Sequence, residues 1–179
     1  STRSRKHFKK DIQPFENHFK IIYHEKPDQN QIDQFYRLYE NVNKNNLALN
    51  MFILPKKLFT MMSQHPNWEF LTLYLKEDFN MGMAQIPVGV MFCYKNMETA
   101  YIPAFIGMDY MYTDEHQVYR QLLYQTIKRA KKLDFKKIDF GMTAAFEKKK
   151  VGATIIPKVA YIQAKDNYSM ELMGVMQNN

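Results

Sequence analysis

Residues 114–152 read DEHQVYRQLLYQTIKRAKKLDFKKIDFGMTAAFEKKKVG, and the fold follows from how this stretch divides. Tyr119, Leu122, Leu123, Thr126, Ile127, Ala130 and Leu133 recur at spacings of three and four, so they share one face of a helix over Asp114–Leu133. Arg120, Lys128, Lys131 and Lys132 fall on the opposite, wet side. Asp114 with Gln117 three places on fits a capping box, in which each side chain satisfies a first-turn N–H of the other. A short strand over Lys136–Gly141 is then expected, followed by a second helix over Ala144–Val151 that stops at Gly152. A helix that returns the chain to a strand implies an α/β arrangement with at least one parallel crossover.

Working outward, Phe19, Ile21 and Tyr23 alternate with Lys20, Ile22 and His24 in a short strand ending near Pro27. Ile32, Phe35, Tyr36, Leu38, Tyr39 and Val42 trace the apolar stripe of a helix over Gln31–Lys44, which the Asn-rich run to Asn50 breaks. Pro55 suits a first helical turn, so Pro55–Ser63 is a further helix, closed before Pro66. Trp68–Leu75, Ile86–Tyr94 and Thr99–Met108 read as three antiparallel strands. In the last of these Pro103 lacks a ladder donor and Gly107 lacks a side chain, which predicts a bulge. Thr154–Gln163 reads as a final strand, and residues 166–179 as a Met-rich tail that could add one more. The fold class is α/β (α+β): a central, mixed, mostly antiparallel twisted sheet of six to seven strands flanked by helices, in one domain over residues 1–179. Residues 1–12 read as a basic arm with little to bury. The methionines, Met61, Met62, Met81, Met83, Met108 and Met111 among them, read mostly as core filler, those near loops as lining for an acyl pocket.

The 179 residues suffice for one buried core, and the aromatic content of 15% argues against extensive disorder. A lone Cys93 precludes an internal disulfide and suits a reducing, cytoplasmic compartment. Its mid-strand place, with no histidine beside it, points to an inert buried thiol. No apolar run reaches the roughly 18 residues of a membrane span. The net charge of +7 is uneven. Residues 1–10 carry five basic and no acidic side chains, and residues 128–150 nine basic against three acidic, so the remainder is net negative. That distribution would attract a polyanion, or simply solvate a helix face. The five histidines have no HxxxH or CxxC company, so no metal site is expected. There is no GxSxG nucleophile elbow and no GxxxxGK[ST] phosphate loop.

The element order, with Tyr119, Leu122, Leu123 and Tyr124 opening the long helix, Ile127 and Ala130 along it, then Ile138-Asp139-Phe140-Gly141, Glu147-Lys148 and Gly152-Ala153, resembles the GNAT-like acyltransferases. The Fem-type (FemAB-related) N-acyl and aminoacyl transferases, a bacterial type, are the branch it is most similar to. The opening Arg3-Ser4-Arg5-Lys6 run is similar to the basic stretch before their first strand. Ala144, Lys148 and Gly152 match the family's short-helix pattern, with Lys in place of a Tyr. The resemblance implies acyl or aminoacyl transfer from a thioester or ester, such as acyl-CoA, to an amine on a small molecule, a peptide or a cell-wall precursor. No permanently bound cofactor is implied; acyl-CoA would be a co-substrate.

The resemblance places the donor between the bulged strand and Lys136–Phe140. It implies Asp139, Glu147 and Lys148 as catalytic residues, with Asp109 a further candidate carboxylate. Phe105, Ile106, Gly107, Met108, Gly141, Thr143 and Lys148 would hold the donor, with Tyr161 lining its acyl part. One departure stands out: the turn Met108–Glu115 has no glycine and three acids where CoA-using relatives cradle a pyrophosphate on bare N–H groups. The departure keeps three alternatives open: an aminoacyl-tRNA donor, with tRNA as partner; a non-catalytic binding module; and one half of a two-domain Fem-type enzyme. A homodimer is also left open.

Overall fold

A computed structural model describes residues 2–45, 52–83, 85–96 and 99–159. Four strands, β1 (Phe19–His24), β2 (Trp68–Leu75), β3 (Ile86–Asn96) and β4 (Ala100–Met108), form one antiparallel sheet in the order β1-β2-β3-β4. Helices α1 (Thr2–Asp11), α2 (Gln29–Asn45), α3 (Lys56–Gln64), α4 (Thr113–His116), α5 (Val118–Lys132) and α6 (Ala145–Lys150) surround it.

The sheet buries both faces. Leu71, Leu73 and Leu75 of β2, with Met91, Cys93, Tyr101 and Met108, pack under Val118, Leu122, Leu123 and Ala130 of α5. The alternate residues Phe70, Val90 and Phe92 meet Ile32, Phe35, Leu38 and Tyr39 of α2 and Phe59 and Met62 of α3. Two glycines mark the closest approaches. A Cβ on Gly89 would lie 2.8 Å from Val118 Cγ1, and one on Gly107 only 2.5 Å from the Tyr39 backbone nitrogen. Cys93 is fully buried, and burial pushes its thiol pKa up.

The expected α/β architecture, an antiparallel sheet flanked by helices, is present, but the described residues carry four strands rather than six to seven. Lys136–Phe140 contributes a single parallel bridge, Tyr101 to Ile138. The chain cannot continue the ladder because Asp139 Oδ1 accepts from the Gly141 N–H at 2.9 Å and Gly141 turns at φ 65°. Residues 154–159 form no strand, while 160–163, Tyr161 and the tail 166–179 lie outside the described residues.

The helix expected over Asp114–Leu133 is broken at Gln117, which adopts φ 56°. Gln117 does not reach back to cap; its Nε2 donates to the Asp114 carbonyl at 2.7 Å. The break lets two residues bury at once. His116 packs against Phe19 and Tyr112 and lies 3.0 Å, Nδ1 to Nδ1, from His18, while Val118 drops fully into the core. Nor is the N-terminus an arm with little to bury. Ile12 is fully buried, its carbonyl accepts from Gln121 Nε2, and Phe8 packs edge-on against Tyr124. Among the methionines, Met62 and Met108 are core, but Met61, Met81, Met83 and Met111 are exposed.

Candidate functional site

The bulge anticipated from Pro103 and Gly107 is at Ala104: Phe105 faces Phe92 and Pro103 faces Cys93, leaving Ala104 unmatched. Its consequence is felt on the far edge of β4, beside residues 136–140. Tyr101 exchanges both backbone groups with that segment, its N–H donating to the Lys137 carbonyl (3.0 Å) and its carbonyl accepting from Asp139 N–H (3.1 Å). Beyond that point the two stretches share no further bridge. Past Tyr101 the edge of β4 and residues 139–141 do not pair with each other. The space between them, from Tyr101 toward Met108 on one arm and Gly141 on the other, is the candidate slot, closed at Tyr101 and with its mouth at the other end.

Backbone alternation identifies which groups face the slot. Asp109 donates to the Val88 carbonyl of β3 at 2.9 Å, so the N–H groups of Gly107 and Phe105 also point toward β3. Those of Ile106 and Met108 therefore point into the slot. Pro103 occupies an outward position where its missing donor leaves the β3 ladder intact.

The closed end is anchored from below. Glu69, fully buried on β2, accepts from the Tyr101 hydroxyl at 2.6 Å and takes a two-pronged contact from Arg129, whose Nη2 lies 2.6 Å from Oε2. The guanidinium also sits over the Tyr23 ring, 4.3 Å from its centroid. Burial alone would raise the Glu69 pKa, but the hydrogen bonds from Arg129 and Tyr101 outweigh it and hold the carboxyl below its usual value.

The mouth is arranged around α6. Lys148 is buried and donates to the carbonyls of Phe140 (2.7 Å) and Met142 (2.6 Å). Burial lowers its pKa, partly countered by the charge of Asp139. Gly141, Thr143 and Ala144 all have positive φ, at 65°, 64° and 46°, so this turn is strained backbone that the Lys148 bonds hold in place. Glu147 turns the other way: Oε2 meets Arg120 Nε at 3.0 Å and Oε1 meets Lys150 at 2.6 Å. Burial would raise its pKa, and these two hydrogen bonds more than reverse that. Tyr119, in the first turn of α5, has its phenol pushed up to about 12 by burial, with the charge of Glu147 adding.

Asp139 and Lys148 thus come together on one arm of the slot, and Glu147 faces away from them. Gly141 and Thr143 belong to the same turn. On the other arm Ile106 and Met108 offer backbone to the slot, whereas the Phe105 side chain packs with Tyr39, Phe59 and Trp68, and Gly107 abuts α2. Asp109 uses Oδ1 to accept from Met111 N–H. Sequence reasoning passed over Glu69, Arg129 and Arg120. Glu69 carries a signal in the sequence, a lone acid inside the otherwise apolar and aromatic run WEFLTLYL. Arg120 does not, because its place on the wet side of the helix hides its contact with α6. Two cavities lie away from the slot: one of about 450 Å³ between Lys26, Gln29, Thr60 and Ser63, and one of about 700 Å³ between Ile21, Tyr23, Lys128, Lys131 and Lys132.

A family model described as acetyltransferase (GNAT) domain matches residues 2–149. No curated protein sequence matches. Among solved structures, an aminoglycoside acetyltransferase from an uncultured soil metagenomic sample, in complex with sisomicin, superposes with a TM-score of 0.58 at 12% identity. It covers 86% of this chain and 99% of its own. The aminoglycoside N-acetyltransferase AAC(6')-Iy in complex with CoA gives 0.56 at 8% identity, covering 83% and 96%. At these identities the likeness is one of fold.

Proposed function

The chain belongs to the acetyltransferase (GNAT) domain family, and on that premise we propose that it is an N-acyltransferase that passes an acyl group from a CoA thioester to an amine. The observation that carries the reading is the slot: a bulged strand and a neighbouring stretch joined by one backbone bridge, Tyr101 to Ile138, with two N–H groups of the strand turned away from β3. An extended, amide-bearing donor arm fits that edge as an added strand would. When bound, the thioester supplies an activated carbonyl. The amine nitrogen attacks that carbonyl, and the Ile106 N–H stabilises the oxyanion that forms. The C–S bond then breaks as the amide forms, and the departing thiolate takes up the proton that the amine loses. Asp139 is the carboxylate placed to move that proton, since only its Oδ1 is committed to Gly141. Lys148 and Glu147 act by position, the first holding the Phe140–Met142 turn and the second tying α6 to α5.

The phosphate end of the donor decides between two readings. Asp109 already uses its carboxylate on the Met111 N–H, and Asp114 and Glu115 add negative charge where a diphosphate would lie. The cation nearest in sequence at the head of α5, Arg120, is paired with Glu147. This favours, as a second reading, the Fem-type reaction with an ester-linked aminoacyl-tRNA donor. The acceptor under either reading is an amine-bearing small molecule or peptide, aminoglycosides being the first to try given the fold neighbours.

The deciding experiment presents the protein with acetyl-CoA or aminoacyl-tRNA and a panel of aminoglycosides and peptide amines, and looks for acylated product by mass. Product from one donor selects the reading; none from either donor rejects both. Ile106→Pro removes the slot-facing donor while sparing the β3 ladder, and turnover should fall roughly a hundredfold or more.

A further inference from the structure

Strand β1 ends the four-strand order, so one of its edges faces no other strand among the described residues. The Lys76 N–H donates to the His18 carbonyl at 3.0 Å, which fixes the alternation: Lys20, Ile22 and His24 turn their backbone groups toward β2, and Phe19, Ile21 and Tyr23 turn theirs outward. The Phe19 N–H is satisfied by the Glu16 carbonyl. The carbonyl of Phe19 and both groups of Ile21 and Tyr23 remain, without a strand partner among the described residues.

The side chains at those same outward positions floor the groove of about 700 Å³ that runs between β1 and α5. Ile21 and Tyr23 make its half-buried apolar base, and Lys128, Lys131 and Lys132 stand along its rim. Glu16 neutralises Lys128 and also accepts from Gln125. Lys131 and Lys132 are exposed, and no ion pair engages them among the described residues. Edge strands often carry a lysine that blocks pairing, but Lys20 has the opposite parity to Ile21 and Tyr23, so its side chain leaves for the other face. An open row of hydrogen-bonding groups therefore runs beside an apolar floor and two uncompensated positive charges.

We propose that this edge is a docking site for an extended peptide segment of a partner protein, one that adds to β1 as a further strand and carries Asp or Glu on alternate residues. Backbone pairing supplies the affinity, and the period of two places every second side chain beside Ile21 and Tyr23 and within reach of the lysines. The site is separate from the slot and does not depend on acyl transfer.

The test is fluorescence anisotropy of the whole chain with a capped, labelled peptide of alternating Val and Glu, about six residues long. Its comparators are the same peptide N-methylated on alternate amides, an alternating Val and Lys peptide, and poly(U). The Val and Glu peptide should bind, more weakly as salt rises. N-methylation, which leaves the charge intact, should weaken it about tenfold, and so should Ile21→Pro, which removes one outward donor. The Lys131→Glu, Lys132→Glu double variant should also lose binding, and the Val and Lys peptide should not bind. The proposal is overturned if the parent peptide does not bind, or if the N-methylated peptide binds as tightly as the parent. Preferential binding of poly(U), lost in the same lysine variant, would overturn it in favour of a nucleic-acid surface.

Discussion

The two ends of the slot are held by opposite kinds of chemistry. At the closed end Glu69, Arg129 and Tyr101 form a network in which the carboxylate is wholly buried and the guanidinium side chain is 12% exposed, and Tyr101 carries the one bridge to Ile138. At the mouth Arg120, Glu147 and Lys150 are about a quarter exposed, and the turn between Phe140 and Ala144 depends on the hydrogen bonds of Lys148. A buried charge cannot exchange its partner for water, so the closed end is fixed. An exposed pair can, so the Arg120, Glu147 and Lys150 cluster at the mouth is free to adjust, while the buried Lys148 holds only its own turn.

The comparison breaks most readily at Glu69. Glu69→Ala leaves Arg129 without its counter-charge in the core, and urea titration should show a loss of about 3–5 kcal/mol; a loss below about 1 kcal/mol would mean that packing alone holds the closed end. Acid offers a second way to separate the two ends. The folded Glu69 carboxyl sits below its usual 4.5, so the unfolded chain binds that proton first. The stabilisation is complete above about 4.5 and disappears as pH falls through the folded value. Glu69→Gln should therefore flatten the acid limb of the stability profile more than Glu147→Gln does, and equal flattening would erase the distinction.

Lys148→Met removes two hydrogen bonds to carbonyls, at a cost of about 1–3 kcal/mol. Amide exchange over residues 140–144 should accelerate while the Tyr101 and Asp139 amides keep their protection, and acceleration at both ends would show the slot to be one unit. The smallest effect is expected for Arg120→Ala, about 0–1 kcal/mol and fading as salt rises. A large, salt-independent loss there would show that the mouth is as fixed as the closed end.

Much of this was legible in the sequence. Strand β2 and the bulge in β4 followed from aromatic and β-branched content and from Pro103 with Gly107, because both are local properties of the chain. The apolar stripes of α2 and α5 and the buried thiol of Cys93 were legible for the same reason. The pairing of Lys148 with the Phe140 and Met142 carbonyls was not, since its sequence neighbours Lys149 and Lys150 look the same. Only the fold buries one lysine of the three. The Glu69–Arg129 pair spans β2 and α5, and no local pattern links them.

The same four-residue motif, Asp-x-x-Gln, occurs at Asp28 and at Asp114, and the sequence by itself determined the outcome at only the first. Asp28 Oδ1 accepts from the Gln31 N–H at 2.8 Å and Gln31 Oε1 accepts from the Asp28 N–H at 3.0 Å, a complete capping box at the head of α2. Asp28 is exposed and Gln31 only half-buried, so no core packing competes with that local geometry. At Asp114 the tertiary structure decided. Burying His116 beside His18 and Val118 beneath Gly89 requires a left-handed residue between them. A cap contributes about 1 kcal/mol, less than two side chains driven into the core. Residue patterns fixed the elements and their caps wherever water was the only rival, and long-range packing fixed the helix break, the closed end of the slot and its mouth.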